Sequence, residues 1–224
     1  MIDILLVNPN SSVTVTRGMD ATARAMLPAG LTLSSVDLPD SPATIYTDEH
    51  VARAGLGLLD LARATPARAG ITGGSSDPGP ELLRAMPDGP VAIGCQEAAL
   101  LSAMGRADRF GVIALGPASI PRHLRIMRKM GIDGRLAGEL HLNGASAESG
   151  MRDPAVYALI RERAMELGDM GAGAIVLGCA GMALIRARLE SDTRLAVVDP
   201  VSAAMAQAVA ALQGDPDFDF DPAA

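Results

Sequence analysis

The sequence predicts an α/β protein made of parallel strands covered by helices, and three observations lead to this fold class. Short apolar runs alternate along the chain with longer amphipathic segments, which is the pattern of strands joined by crossover helices. The 224 residues are 49% hydrophobic but only 2% aromatic, so the core must be built from aliphatic side chains. Similar segments recur at offsets of about 105 to 107 residues, which indicates two similar α/β halves, each with a roughly four-stranded parallel sheet and flanking helices.

Eight short apolar runs are predicted as strands. They are Ile2–Val7, Leu31–Val36, Ala69–Thr72, Pro90–Gly94, Phe110–Leu115, Leu136–Leu142, Ala174–Leu177 and Leu195–Val198. Amphipathic segments between them predict helices over Thr47–Ala64, Gln96–Met104, Ser119–Met130, Pro154–Met170 and Val201–Leu212. Asp153 before Pro154 is a typical N-cap followed by a first-turn proline.

The internal similarity also predicts where the halves divide. The matched pairs are Leu6–Ser12 with Ala114–Ser119, Gly70–Ser75 with Ile175–Ala180, and Val91–Cys95 with Ala196–Pro200. Because chain termini often lie close together, we expect the last helix to return to the first half. The first half then comprises residues 1–95 plus about 200–224, and the second half residues 96–199. The acidic tail from Gly214 is expected to be solvated or loosely docked.

Composition and charge exclude several classes of protein. The formal net charge is −7, whereas a nucleic-acid-binding protein needs a basic face. No apolar run approaches the ~20 residues that span a bilayer, and the N-terminus lacks the basic start of a signal peptide, so we expect a cytoplasmic protein with no membrane partner. The two cysteines, Cys95 and Cys179, are too few for a disulfide framework. The three histidines show no ligand spacing against them, so no metal site is expected.

The loop after the first strand is the first candidate ligand site. In parallel sheets, ligands bind beyond the carboxyl ends of the strands, where loops lead into helices. This loop holds Asn8, Asn10 and Ser11. Their side chains can cap the following helix, and exposed backbone N–H groups there suit an anion such as a carboxylate. Both roles stay open for these residues.

The loop after the third strand is the second candidate, and it holds Gly74, Ser75 and Ser76. Glycine lets a ligand approach the backbone closely, and hydroxyl and N–H groups together make a polar nest. The alternative is an ordinary turn in which Asp77 caps a helix that begins at Pro78. A phosphate-binding P-loop is not expected, because the ending Gly-Lys followed by Ser or Thr is absent.

Cys179 follows the seventh strand and precedes Ala180 and Gly181. We expect a lowered thiol pKa here, because a helix N-terminus favours the thiolate. A thiolate and thiol pair suits proton transfer at a carbon acid or nucleophilic attack, although an inert buried cysteine is the alternative. For Cys95, at the end of the fourth strand, packing is favoured over catalysis.

The helical segment around His123 is strongly basic, with Arg122, Arg125, Arg128 and Lys129 as neighbours. A charge run of this kind is typical of a solvated helix face, which is the role expected here. A Cys–His dyad stays open, because its partners need not be adjacent in sequence.

Five segments together resemble the aspartate/glutamate/hydantoin racemase family, on its hydantoin and allantoin racemase side. They are Val7-Asn8-Pro9-Asn10-Ser11-Ser12, Asp77-Pro78-Gly79, Gln96-Glu97-Ala98-Ala99, Val176-Leu177-Gly178-Cys179-Ala180-Gly181-Met182 and Val198-Asp199-Pro200-Val201. The resemblance covers nearly the whole chain. It implies two pseudo-symmetric halves with the active site in the cleft between them, a small carboxylate, amino-acid or hydantoin-like substrate, no cofactor, and a homo-oligomer.

The resemblance also implies a mechanism, from which this chain departs at one position. In this branch two cysteines flank an acidic carbon, one removing a proton as thiolate and the other delivering one as thiol. Cys179 matches the second-half cysteine, but Gly74 stands where the first-half cysteine is usual. The loop Gly116–Ser119 also lacks the Thr-Thr pair often found there to hold a carboxylate. The expected substrate-binding residues are Asn8, Asn10, Ser11, Gly74, Ser75, Ser76, Ser119, Ala180 and Gly181.

Three functions therefore stay open. The first is a racemase or isomerase that acts on a small carbon acid with Cys179 as acid/base. The second is a one-cysteine decarboxylase or lyase, because arylmalonate decarboxylases resemble these racemases and have glycine at the first-half position. The third is a family member that binds a small molecule without turning it over.

Overall fold

A computed structural model describes residues 2–143 and 153–213 and shows two four-stranded parallel sheets. The first sheet contains β1 (Ile2–Asn8), β2 (Leu33–Asp37), β3 (Ala67–Thr72) and β4 (Val91–Gly94), in the spatial order β2-β1-β3-β4. The second contains β5 (Phe110–Ala114), β6 (Leu136–His141), β7 (Ala174–Leu177) and β8 (Ala196–Val198), in the order β6-β5-β7-β8. The predicted fold class is confirmed, because the two sheets share one topology.

Eight helices cover the sheets within the described ranges. They are α1 (Val13–Arg24), α2 (Asp48–Ala64), α3 (Pro80–Arg84), α4 (Cys95–Met104), α5 (Ile120–Met130), α6 (Pro154–Asp169), α7 (Arg186–Thr193) and α8 (Pro200–Gln213). The predicted helices correspond to α2, α4, α5, α6 and α8, and Asp153 caps α6 as expected. Helices α1, α3 and α7 lie outside the predicted set, as does a 3-10 helix over Ala180–Ile185.

The strand ends of the two halves are built alike. The Gly73 N–H donates to the Val7 carbonyl at 2.8 Å, and the Gly178 N–H donates to the Ile113 carbonyl at 2.8 Å. A Cβ on Gly178 would lie 2.6 Å from the Ile113 oxygen, so only glycine allows this close approach. The equivalent bonds show that the recurring sequence segments fold into equivalent turns.

One apolar core runs through both sheets. It includes Ile71 of β3, Leu100 of α4, Val112 of β5, Val176 of β7 and Val201 of α8, all buried. Helix α4 packs against β7 and β8, and α8 packs against β3, β4 and α1. The division into 1–95 plus about 200–224 and 96–199 stays a prediction, and the tail from Gly214 lies outside the described residues. Within the described ranges, no helix is both long and apolar enough to cross a membrane.

Candidate active site

Three strand-end loops converge between the two sheets. Helix α1, which follows the β1 loop, packs against the 3-10 helix Ala180–Ile185 that follows Cys179. The β3 loop meets the β1 loop at Gly74, where an added Cβ would lie 3.2 Å from Pro9 Cγ. The loop after β3 thus lies against the loop after β1, and α1 lies against the 3-10 helix after β7, near the strand ends where parallel sheets commonly bind ligands.

The polar side chains of the β1 loop mainly hold the loop itself. Asn8 is buried, and its Nδ2 donates to Asn10 Oδ1 at 2.9 Å and to Thr16 Oγ1 at 3.0 Å. Asn10 Oδ1 also accepts from the Ser12 N–H at 2.9 Å, and Ser12 caps α1. Asn8 and Asn10 thus fix the loop geometry, while Ser11 is half-buried and its N–H donates to the Pro42 carbonyl at 3.4 Å.

Asp77 in the β3 loop caps a helix, although a different one from the helix expected. Its Oδ1 accepts from the Gln96 N–H at 2.8 Å and its Oδ2 from the Glu97 N–H at 2.7 Å, at the start of α4. Helix α3 begins only at Pro80, so the alternative in which Asp77 caps a helix beginning at Pro78 is not the one that the structure adopts. Burial raises the Asp77 pKa to about 7, while the two backbone N–H donors act in the opposite direction.

Cys179 begins the 3-10 helix after β7 with extended backbone, at φ −153°. Burial raises its thiol pKa to about 11, and the one opposing contribution is a hydrogen bond from the Gly181 N–H. The expected lowering of this pKa is therefore wrong, because desolvation outweighs a single N–H donor. Ala180 and Gly181 are buried beside the thiol.

Gly74, the sequence counterpart of Cys179, has a different backbone conformation. Its φ is +88°, in the left-handed region that L side chains rarely adopt. The symmetry of the two halves therefore breaks at Gly74, the position where the resemblance led us to expect a cysteine. The backbone at this point favours glycine, and a thiol is present on one side only.

Cys95 is buried in the core that the two sheets share. It is 0% exposed within the shared core, and burial raises its thiol pKa, to which the nearby carboxylates of Asp77 and Asp199 add. These surroundings agree with the packing role favoured for this residue.

The basic segment of α5 is only partly solvated, which corrects the expectation for two of its residues. Arg125, Arg128 and Lys129 are exposed, whereas Arg122 is 9% exposed and His123 is 0% exposed. His123 lies one turn before the buried Met127, so the helical spacing of α5 contained a signal for its burial. Nothing comparable in the sequence indicated the burial of Arg122.

His123 forms a buried pair with Glu139 of β6 through its Nδ1. The opposite atoms of this pair, His123 Nε2 and Glu139 Oε2, are buried without a hydrogen-bond partner in the described structure. The pair fastens α5 to the second sheet. A dyad between this histidine and a cysteine is not seen among the described hydrogen bonds, since its bonded Nδ1 faces Glu139.

Arg122 connects the two halves next to the β3 loop. Its Nε donates to Ser76 Oγ at 3.1 Å, and its Nη1 donates to the Tyr46 carbonyl at 2.7 Å and the Ala118 carbonyl at 3.0 Å. Ser119 lies beside this contact, where its hydroxyl donates to the Gly116 carbonyl at 3.0 Å. Sequence reasoning placed Ser76 and Ser119 at the site but did not identify the arginine that joins it.

A groove of about 570 Å³ opens beside these residues, between α2, α3, the start of α4, and α5. Of the residues predicted for the site, Ser76 lines this groove, together with Asp77 and Arg122. Within residues 2–143 and 153–213, no three His, Cys, Asp or Glu side chains are grouped as metal ligands.

The paired sheets define the class of protein, a two-sheet α/β enzyme of the racemase fold. Allantoin racemase from Klebsiella pneumoniae has this fold, with a TM-score of 0.85 and 28% identity over 96% of this chain and 89% of that one. Arylmalonate decarboxylase is similar in fold alone, with a TM-score of 0.67 and 18% identity over 96% of this chain and 94% of that one.

The amino-acid sequence identifies the family. Hydantoin racemase from Rhizobium meliloti is 33% identical over 216 residues, which cover 93% of this chain and 88% of the relative. The profile of the family described as Asp/Glu/Hydantoin racemase matches residues 4–208. The chain belongs to the Asp/Glu/Hydantoin racemase family, a family of isomerases, and the resemblance to its hydantoin and allantoin branch is confirmed.

Proposed function

We propose that this protein is a cofactor-independent isomerase that acts on a hydantoin-type carbon acid, with Cys179 as the residue that moves the proton. The observation that carries the proposal is the position of Cys179 at the carboxyl end of β7, directly before the 3-10 helix that packs against α1 of the first half. The hydantoin and allantoin racemases among its relatives support a hydantoin-like substrate. A cytoplasmic location and self-association remain predictions.

The proposed reaction begins with removal of the acidic hydrogen. Cys179 as thiolate takes the proton from the carbon between the ring nitrogen and the ring carbonyl, and the C–H electron pair moves into the carbonyl to form an enolate. The Ser11 hydroxyl and the hydroxyl and backbone N–H of Ser75 are proposed to stabilise the enolate oxygen. Return of the proton from the Cys179 thiol restores the original configuration.

Inversion requires a proton on the opposite face, where Gly74 offers no side chain. We propose that solvent supplies this proton, with the hydroxyl of Ser75 or Ser76 relaying it. A serine hydroxyl is a poor unassisted acid or base, so this step is slower than exchange through Cys179. The enzyme would therefore exchange the substrate hydrogen more often than it inverts the carbon.

A one-sided decarboxylase is the second candidate, and the Gly74 backbone favours it. Loss of CO₂ from a malonate-type substrate leaves its electron pair in an enediolate, which needs one proton donor and no second base. The Cys179 thiol can be that donor, and the left-handed backbone of Gly74 offers no second acid/base side chain. A family member that binds without turnover is the third reading, distinguished by binding without exchange or CO₂ release.

The test compares wild type with Cys179→Ala and with the control Cys95→Ala, using enantiopure 5-benzylhydantoin and a 2-aryl malonate. The proposal predicts hydantoin exchange and racemisation in wild type and Cys95→Ala, and a loss of roughly 100-fold or more in Cys179→Ala. Chiral chromatography and deuterium incorporation measure the two rates above the uncatalysed background. CO₂ release without hydantoin turnover would favour the decarboxylase, and full activity in Cys179→Ala would exclude Cys179 as the acid/base.

A further inference from the structure

The groove beside the β3 loop contains one cation that lacks a carboxylate partner among the described residues. Four cationic side chains line it, and three form ion pairs: Arg84 with Glu97 at 2.7 Å, Arg125 with Asp48 at 2.6 Å, and Lys129 with Glu81. The fourth lining carboxylate, Asp77, accepts from backbone N–H groups of α4 instead. Arg122 is the cation left over.

Arg122 is also the most deeply placed of these cations. It is 9% exposed, and its Nε and Nη1 donate only to neutral oxygens of Ser76, Tyr46 and Ala118. Its Nη2 has no protein acceptor within the described ranges and is not among the atoms sealed from solvent. Two N–H donors of a fixed guanidinium therefore remain for a ligand in the groove.

The surroundings make this guanidinium a receptor for an anion. Burial of a charge without a counter-ion is costly in free energy. Burial lowers the pKa of Arg122, whereas the negative charge of Asp48, which is paired with Arg125, raises it. A guanidinium remains protonated in proteins, so its charge persists in the groove. An incoming carboxylate would supply the missing counter-charge through short charge-assisted hydrogen bonds.

Ser76 connects this anion receptor to the reacting centre. It accepts from Arg122 Nε, it lines the groove, and it lies two residues beyond Gly74 in the β3 loop. Its hydroxyl hydrogen has no protein acceptor among the described residues, so it can donate to the same ligand. Gly74 and Cys179 do not line the groove, so the route that a substituent would take from the reacting carbon leads through Ser76, a residue that lies both in the β3 loop and in the groove lining.

We infer that Arg122 recognises a carboxylate on the substituent of the substrate, so that the preferred substrate is a carbon acid with an anionic side chain. This inference rests on the proposed function and names its substrate class. The overall charge of −7 repels anions, so a preference for an anionic substrate requires a local receptor of this kind.

The test uses two hydantoins of equal shape, hydantoin-5-propanoate and its amide, hydantoin-5-propanamide. Exchange at C5 gives kcat/KM, and calorimetry gives Kd, for wild type, Arg122→Gln and Arg128→Gln. Arg128 is an exposed arginine of the same helix that does not line the groove, so it is the matched control for lost charge. Circular dichroism verifies that each variant is folded. The preference of wild type for the carboxylate over the amide is measured on the unaltered protein, so it does not depend on how a variant folds.

Wild type and Arg128→Gln should favour the carboxylate over the amide by about tenfold or more in kcat/KM and Kd, and Arg122→Gln should lose this preference. Equal use of both compounds by wild type would overturn the inference and leave the proposed function standing. A preference for the carboxylate that survives in Arg122→Gln would also overturn the inference. A preference that Arg122→Gln and Arg128→Gln lose equally would overturn it as well. Arg122-dependent binding of the carboxylate without exchange of either compound would uphold the anion receptor and refute the proposed reaction.

Discussion

At the scale of single residues, the chemistry depends on the protonation of Cys179. Burial raises its pKa to about 11, with one N–H donor from Gly181 opposing. At pH 7 a thiol with this pKa is ionised in about one molecule in 10,000. The thiol form is thus the resting state, and the thiolate that abstracts a proton is rare.

The pH dependence of the rate follows from this pKa. Where Cys179 acts as base, kcat/KM for hydantoin exchange should rise about tenfold per pH unit from pH 7 towards pH 11, since the thiolate fraction rises in that way. Where its thiol is the proton donor, as in decarboxylation, the rate should be flat to about pH 10 and then fall. Rates in Cys179→Ala provide the background. A thiolate-dependent rate that levels off near pH 8 would contradict the raised pKa.

At the scale of secondary-structure elements, Asp77 links the β3 loop to the start of α4. Both carboxylate oxygens accept from backbone N–H groups of Gln96 and Glu97. Gly94 permits this approach, because a Cβ there would lie 2.5 Å from the Asp77 carboxylate. The Asp-Pro-Gly segment thereby fixes the loop that contains Gly74 and Ser76.

Removing this cap should cost more than removing an exposed one. Asp77→Ala leaves buried helix donors without acceptors and should lower the free energy of unfolding by about 1–2 kcal/mol. Thr47→Ala, which removes the exposed cap of α2, is the control and should cost about 0.5–1 kcal/mol. Urea denaturation measures both. Equal losses in the two variants would show that burial adds nothing to the Asp77 cap.

The elements that sequence reasoning located are those with local signals. Strand β7 was predicted at its observed bounds, because it is a short apolar run buried on both faces. Helix α1 was not delimited, because its buried face includes the polar Thr16 and the small Ala23 beside Met19. Only three of its twelve residues are buried, so its apolar content is low even though its polar and apolar residues lie on opposite faces.

The site could be predicted only in part, for a related reason. Cys179 and Ser76 follow strands and are visible as strand-end polar residues. The burial of Arg122 depends on Ser76 and on Tyr46, which are 46 and 76 residues away in sequence, so no local pattern encodes it. The left-handed φ of Gly74 likewise depends on how the β3 loop lies against Pro9.

At the scale of the whole molecule, the two halves share one core and should unfold together. Met205 of α8 is buried in that core, and α8 packs against β3 and β4 of the first sheet and against the 3-10 helix that follows β7. Met205→Ala should lower the free energy of unfolding by about 2–4 kcal/mol. The free energy of opening measured at amides of β3 should fall by the same amount as that measured at amides of β7. Native-state hydrogen exchange measures the two strands separately.

The matched control is Met165→Ala in α6, where the side chain is 42% exposed and should contribute less than about 1 kcal/mol. Loss of protection confined to β3 would mean that the halves unfold independently.

Cys179 is proposed to be the one efficient acid/base of the site, acting on one face of the substrate. The most direct measurement is the ratio of deuterium exchange to inversion for each enantiomer of 5-benzylhydantoin in deuterated water, followed by NMR and chiral chromatography. If Cys179 is the one efficient acid/base, exchange with retention should exceed inversion by about tenfold or more in wild type, and Cys179→Ala should lose both. Inversion as fast as exchange would contradict it, because a second efficient proton donor would then have to act on the Gly74 face.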